Sequence, residues 1–371
     1  MNKRVALFLL CLAPLLTGCG LLSAERREVE ELRLVETMGL DPAGDGLLLS
    51  LSSSGTGEEG PRSYCGAGPS LNQAMESLRS RSPGEQLFCG HLQTILVGEA
   101  YARAGMESLL SAVCRSTDLR LDMPLYLILD GSARDAVCRT GDGEKGVGAL
   151  LSAMKRSREQ AGGLSSAGAI LRDLNGQGSS LLRALRLQDG SREDGEGLAL
   201  VPAGYAVLVR GRLAGLISPE NAPAAELLTD SLCPCVLNLR DGQGRNVSLE
   251  LQEGSCRLLP LWDEEGALTG LEIRLSVRAV VQELEDFRQV ADQRYLNELT
   301  ARMEAELTRR VGAVLQLSRE LEADFLGLGR RLELGAPLRG RGLSQSLGPL
   351  LPGLSLRLSL RGELLHSNDI N

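Results

Sequence analysis

The chain has 371 residues, 40 Lys+Arg against 48 Asp+Glu, a net charge of −8, and 43% hydrophobic but only 3% aromatic residues. At roughly 100–200 residues per domain the length suggests two or three domains, and the ordinary apolar fraction excludes a disordered or collagen-like polymer. The acidic balance argues against a nucleic-acid partner, whose footprint would be a basic excess. With one Trp, five Tyr and four Phe, the core must be built mainly of Leu, Val and Ala.

Lys3 and Arg4 precede the mostly apolar run Val5–Leu16. That run is too short for a membrane-spanning helix of ~20 residues, and it has the length of a secretory signal's apolar region. Leu16-Thr17-Gly18-Cys19 follows and looks like a bacterial lipobox. Small residues at 17 and 18 let a peptidase approach the backbone, and the Cys19 thiol is the nucleophile that takes the diacylglyceryl group. The competing reading is a plain signal or an uncleaved anchor with a chance cysteine. The lipobox reading gives a signal peptide over 1–18, lipid attachment at Cys19, and a body tethered to the outer face of a membrane. One acyl chain binds only marginally and two hold stably. The acidic body is repelled by an anionic bilayer, so the lipid must supply the attachment.

After a tether at 20–25, residues 26–55 read as strand–turn–strand around Asp41–Gly46. Ser70 opens a helix with Gln73 in capping-box position. Leu87–Gly98 reads as a strand, followed by short helices at Glu99–Ala104 and Met106–Cys114. Pro124–Asp130 reads as a strand and a helix begins near Ser132, giving a mixed sheet with helices on one side. Residues 140–197, rich in Gly, Ser and charge, read as an interdomain connection with weak helical patches at Val147–Met154 and Leu181–Leu187.

The second half opens with a hairpin, Tyr205–Val209 and Leu213–Ile217, turned at Arg210-Gly211. Leu271, Ile273, Leu275, Val277, Ala279 and Val281 alternate as a long half-buried strand. A long helix is expected over Asp286–Leu326. Its stripe of Tyr295, Leu299, Met303, Leu307, Val311 and Leu315 precesses ~40° per step, which suits a helix laid across a twisted sheet. Leu354, Leu356, Leu358 and Leu360 alternate as a last strand. The fold class is therefore α+β, in successive domains over 19–197 and 200–371.

Chemistry-bearing patterns are scarce. Cys11 leaves with the signal, and Cys65, Cys89, Cys114, Cys138, Cys233, Cys235 and Cys256 remain in the mature chain. Seven is not a small disulfide framework, and most read as buried hydrophobes. The near-even spacing of the first four reads as coincidence. Cys233-Pro234-Cys235 lacks a second CxC or a nearby His to complete a metal site. Of the two histidines, His91 reads as structural and His366 as solvated. Acidic pairs such as Asp118/Asp122 and Asp263/Glu264/Glu265 read as a solvated face among 48 acids. No nucleotide-loop, zinc-protease or serine-hydrolase pattern appears outside the signal, and Gly141–Gly146 has the wrong spacing for a phosphate loop. No catalytic residue, metal or cofactor is expected.

Several segments together resemble the Ger(x)C family, the C-subunit lipoproteins of spore germinant receptors. They are Arg27-Glu28-Val29 with Leu32; Gly39-Leu40-Asp41; Gly90-His91-Leu92; Leu96-Val97-Gly98-Glu99 with Ala102, Gly105-Met106, Leu109-Leu110 and Arg115; Gly204–Leu208 with Leu213–Leu216; and Ala323–Gly329. The chain departs from the family at Gly20-Leu21, where Trp-Asp is usual, and at Leu208 and Arg212, which replace Phe and Lys. The resemblance implies a nonenzymatic, palmitate-type lipoprotein on the outer leaflet of the inner spore membrane. It would stand beside a membrane-embedded A subunit and a transporter-like B subunit, with direct nutrient contact left open. It also implies successive α+β domains. A solute-binding lipoprotein of an importer is the alternative, and its two doubly wound lobes suit the long helix poorly. A lipid-anchored wall hydrolase would need an acid or metal set that the chain does not offer.

Overall fold

The computed structural model describes residues 32–53, 60–82, 84, 86–116, 119–139, 147–148, 151, 166–189, 198–284 and 292–365. Two mixed sheets organise it, nine-stranded and four-stranded.

The first sheet starts with the expected hairpin. Strands β1 (Leu32–Ala43) and β2 (Gly46–Ser53) pair antiparallel and turn at Gly44, whose φ is +55°. Edge strand β3 (Arg62–Gly68) pairs with β2. Helix α1 (Leu71–Arg81) is capped by Ser70, whose side chain accepts from the Gln73 amide. The segment expected as one strand over Leu87–Gly98 is broken into β4 (Gln86–Phe88), a single 3-10 turn at Cys89–His91, and β5 (Thr94–Gly98). Both strands lie parallel to β1, at Leu32–Leu34 and at Thr37–Leu40, and the turn takes up the surplus chain between the two registers.

Helices α2 (Glu99–Ala104) and α3 (Glu107–Arg115) lead to β6 (Leu125–Leu129) and α4 (Ala133–Arg139), close to their expected places. The helices do not all lie on one side. Ala74, Leu78, Leu109 and Ile170 join one core with Ile95 and Val97, while Ala133, Ala136 and Val137 of α4 pack with Leu96, Tyr126 and Ile128 in another. Every residue of β5 and β6 is buried, as parallel strands covered on both faces must be.

The expected connection over 140–197 holds regular structure in its later part. Helix α5 (Ala167–Gln177) is capped by Ser166 and ended by Gly178. Leu181–Leu187, expected as a helical patch, lies in strand β7 (Ser179–Asp189), parallel to β6. An apolar run this short is ambiguous until its neighbours are known. The hairpin β8 (Leu198–Val209) and β9 (Arg212–Ile217) turns as expected, and it extends the first sheet through β7. Alternation along it serves two cores. Leu182, Ala184, Ala206 and Leu208 face the first, and Leu181, Tyr205, Val207 and Ile217 face the second.

The second core is built on α6 (Ala222–Leu228) and the sheet of β10 (Cys235–Arg240), β11 (Asn246–Trp262), β12 (Leu268–Leu284) and β13 (Ser355–Leu365). Strand β12 carries the expected alternation, and β13 runs parallel to it at the edge. The long helix α7 spans Gln293–Glu320, capped by Asp292, and is shorter than the expected reach to Leu326. Residues 285–291 lie outside the described chain. At the other end Glu322 takes φ +48° and the Ser318 hydroxyl donates to the Ala323 carbonyl at 2.6 Å, which turns the chain. Leu299, Met303, Leu307, Val311 and Leu315 are buried and Tyr295 half-buried, so the stripe is the packed face. Helices α8 (Leu328–Gly335) and α9 (Leu343–Leu350) complete this half.

Candidate functional site

Leu16, Thr17, Gly18 and Cys19, with Asp118, Gly141–Gly146 and His366, lie outside the described residues. His91 ends the 3-10 turn, exposed, with Nε2 3.4 Å from Gln93 Nε2. Asp122 is an exposed ion-pair partner of Arg120. Asp263, Glu264 and Glu265 form the exposed β11–β12 turn, where Asp263 accepts from the Ala267 amide at 2.7 Å. Cys233 is buried and its backbone amide donates to Glu226 Oε2 at 3.2 Å. Among the described residues no three His, Cys, Asp or Glu side chains gather as a metal set.

The signature residues come together in a different role: they fix helices. Asp41, at the end of β1, is nearly buried, and its carboxylate accepts from the Ala133 amide at 2.9 Å and the Arg134 amide at 2.7 Å. It thereby caps α4 from another element, satisfying two amides that the helix cannot pair internally. Burial pushes this carboxyl up, against the two amides that favour its charge. Gly98 stands against the Asp41 carboxylate with no space for a side chain. Gly39 likewise meets Val137 and the Ala133 backbone. Gly39, Asp41 and Gly98 are therefore one docking joint for α4.

Asp324 repeats the device in the second half. It is 1% exposed and accepts from the Leu328 amide at 2.9 Å and the Gly329 amide at 2.7 Å, starting α8. Gly327 supplies the left-handed turn, φ +69°, that brings these amides round. Burial outweighs the backbone donors and pushes the Asp324 carboxyl up to about 7.

Between the cores, the Tyr205 hydroxyl donates to Glu226 Oε1 at 2.6 Å. Burial first, and then Glu226, push its phenol up, so it stays a neutral donor. A cavity of about 110 Å³ beside it is lined by Tyr126, Arg183, Pro202 and Pro219. A wider groove of about 900 Å³ lies on the first half between α1 and α3. Its walls are Met38, Leu40, Met75 and Leu109, with Arg79 and Arg115 among the lining residues. Leu334 in α8 and Leu338 just after it are 73% and 96% exposed. No helix among the described residues is long and apolar enough to cross a membrane.

This is a two-sheet α+β protein in which buried Asp41 and Asp324 each fix the start of a helix. Residues 25–187 match the spore germination protein N-terminal domain, and residues 203–337 match the spore germination B3/GerAC-like C-terminal domain. The crystal structure of the GerBC protein has the same fold, with a TM-score of 0.57 at 17% identity, covering 88% of this chain and 96% of that one. No curated protein matches the chain. The chain belongs to the Ger(x)C family of spore germination proteins.

Proposed function

We propose that the chain is the lipid-anchored C subunit of a nutrient germinant receptor and that it works by contact, without catalysis. Supporting this is one observation above all: two spore germination domains follow one another in family order along most of the chain. Cys19 carries the lipid after cleavage of residues 1–18, and the body stands on the outer face of the inner spore membrane. There it meets the membrane-embedded A and B subunits. The exposed Leu334 and Leu338 are the apolar surface that such contacts use.

The Cys19→Ala variant tests the reading. It should leave the membrane fraction and impair nutrient-triggered germination while the body stays folded. Variant protein that still sediments with membranes, in spores that germinate normally, overturns it.

A further inference from the structure

Cys65 lies on edge strand β3, in register opposite Ser50 of β2, and Cys138 lies in the last turn of α4. Their Sγ atoms are 3.9 Å apart although 73 residues separate them in sequence. Each sulfur is placed by its own frame. The β2–β3 ladder holds one from Leu47↔Gly68 to Ser53↔Arg62. Asp41 pins the start of α4, and the Ser63 hydroxyl donates to the Val137 carbonyl at 3.5 Å, holding the helix's end against β3. The approach is therefore a property of packed elements rather than of a loose loop. A disulfide needs about 2.05 Å between sulfurs, so the two sulfurs must still move together for the bond to close. Both thiols are unbonded, Cys65 is only partly covered and Cys138 is exposed, so an external reagent can reach them.

We propose that Cys65 and Cys138 form a redox-active dithiol, closed to an internal disulfide by exchange with a disulfide-bearing oxidant. The Cys65 thiolate attacks one sulfur of the oxidant R–S–S–R, forming a mixed disulfide and releasing RS⁻. Cys138 then gives up its proton and attacks Cys65 Sγ, and the second RS⁻ leaves. Two protein thiols become one disulfide, and R–S–S–R takes up the two electrons and two protons as 2 RSH. The surroundings assign the nucleophile. The Cys138 thiol first, then the Ser50 hydroxyl at 3.4 Å and Arg134, bring the Cys65 thiol down to about 6 against its burial. The same contact pushes Cys138 up. The bond would fasten β3, an exposed sheet edge, to α4, and close a long loop, which raises stability chiefly by restricting the unfolded chain. This inference stands apart from the anchor at Cys19.

The test treats the purified full chain with excess oxidised glutathione, alkylates the remaining thiols and maps the peptides by mass spectrometry. The Cys65 and Cys138 peptides should appear as one linked species, while Cys114 never appears linked to either. The oxidised protein should melt about 5 °C higher, a gain that dithiothreitol reverses and that Cys138→Ser, at an exposed position, abolishes. Recovery of Cys65 and Cys138 as separate alkylated or glutathione-bearing peptides overturns the proposal, as does linkage scattered among the other cysteines. The reduced and oxidised native chain suffice for this reading if the variant folds poorly.

Discussion

Asp41 and Asp324 each hold the start of a helix from outside it, and each is buried while doing so. Asp324 is the more telling of the two, because its carboxyl titrates at about 7 in the folded chain against an ordinary 3.8. Folding therefore takes up a proton between roughly pH 4 and 7. Stability falls as pH rises through that window and levels off above it, by at most about 1.4 kcal/mol per pH unit. Asp324→Asn should remove part of this decline, seen as urea midpoints at pH 5 and pH 8 lying closer together than in the native chain. An unchanged difference between the two midpoints would count against the assignment. At the other joint, Gly98→Ala drives a methyl group into the Asp41 carboxylate and should cost about 1–3 kcal/mol by overpacking. Thermal melts of this variant beside an exposed control such as Gln316→Ala will show it. The residues of both joints stand among the segments that carry the family resemblance, but their task does not show in the sequence. Asp324 caps a helix only four residues on, and what the sequence does not display there is its burial. Asp41 caps a helix 92 residues away, which leaves no local trace. The Cys65–Cys138 pair was hidden for the same reason: its two halves meet only through the packing of β3 on α4.

Elements with strong periodicity match the reading, as do the short strand at Leu125–Leu129 and the β8–β9 hairpin, whereas Leu181–Leu187 and the single strand over Leu87–Gly98 do not. The stripe on α7 and the alternation on β12 each repeat often enough to fix both type and buried face. Leu181–Leu187 is brief and carries only Arg183 and Arg186 among apolar residues, its leucines shared between the cores on the two sides of β7 and β8. Such a run fits a helix or a strand equally well until the partner strands are known. Helix α7 ends short of Leu326 because the chain turns at Glu322, φ +48°, and Leu321 and Phe325 pack in the turn leading to α8. Arg331 of α8 then donates to the Leu228 carbonyl at 2.6 Å and the Cys256 carbonyl at 2.5 Å, tying α8 to α6 and β11. The stripe itself makes a clear prediction. Leu307→Ala should destabilise by about 2–5 kcal/mol, whereas Gln316→Ala on the outer face should stay within about 0.5 kcal/mol. Urea unfolding of the two variants distinguishes a packed helix from one merely resting on the sheet.

At the scale of the molecule, the β8–β9 hairpin belongs by hydrogen bonding to the first sheet and by half its side chains to the second core. Separately expressed pieces, one ending at Asp189 and one beginning at Leu198, should each expose an open strand edge and aggregate. Co-expression should restore a soluble pair, and independent solubility of both pieces would contradict this shared core. A body braced in this way holds its surfaces in fixed relation to one another. The most direct test is purification of the tagged full chain from spore membranes in mild detergent, with the copurifying proteins quantified. Two multispan membrane proteins should copurify in stoichiometric amounts. A chain recovered alone from membranes that still contain those two proteins would contradict the proposed role.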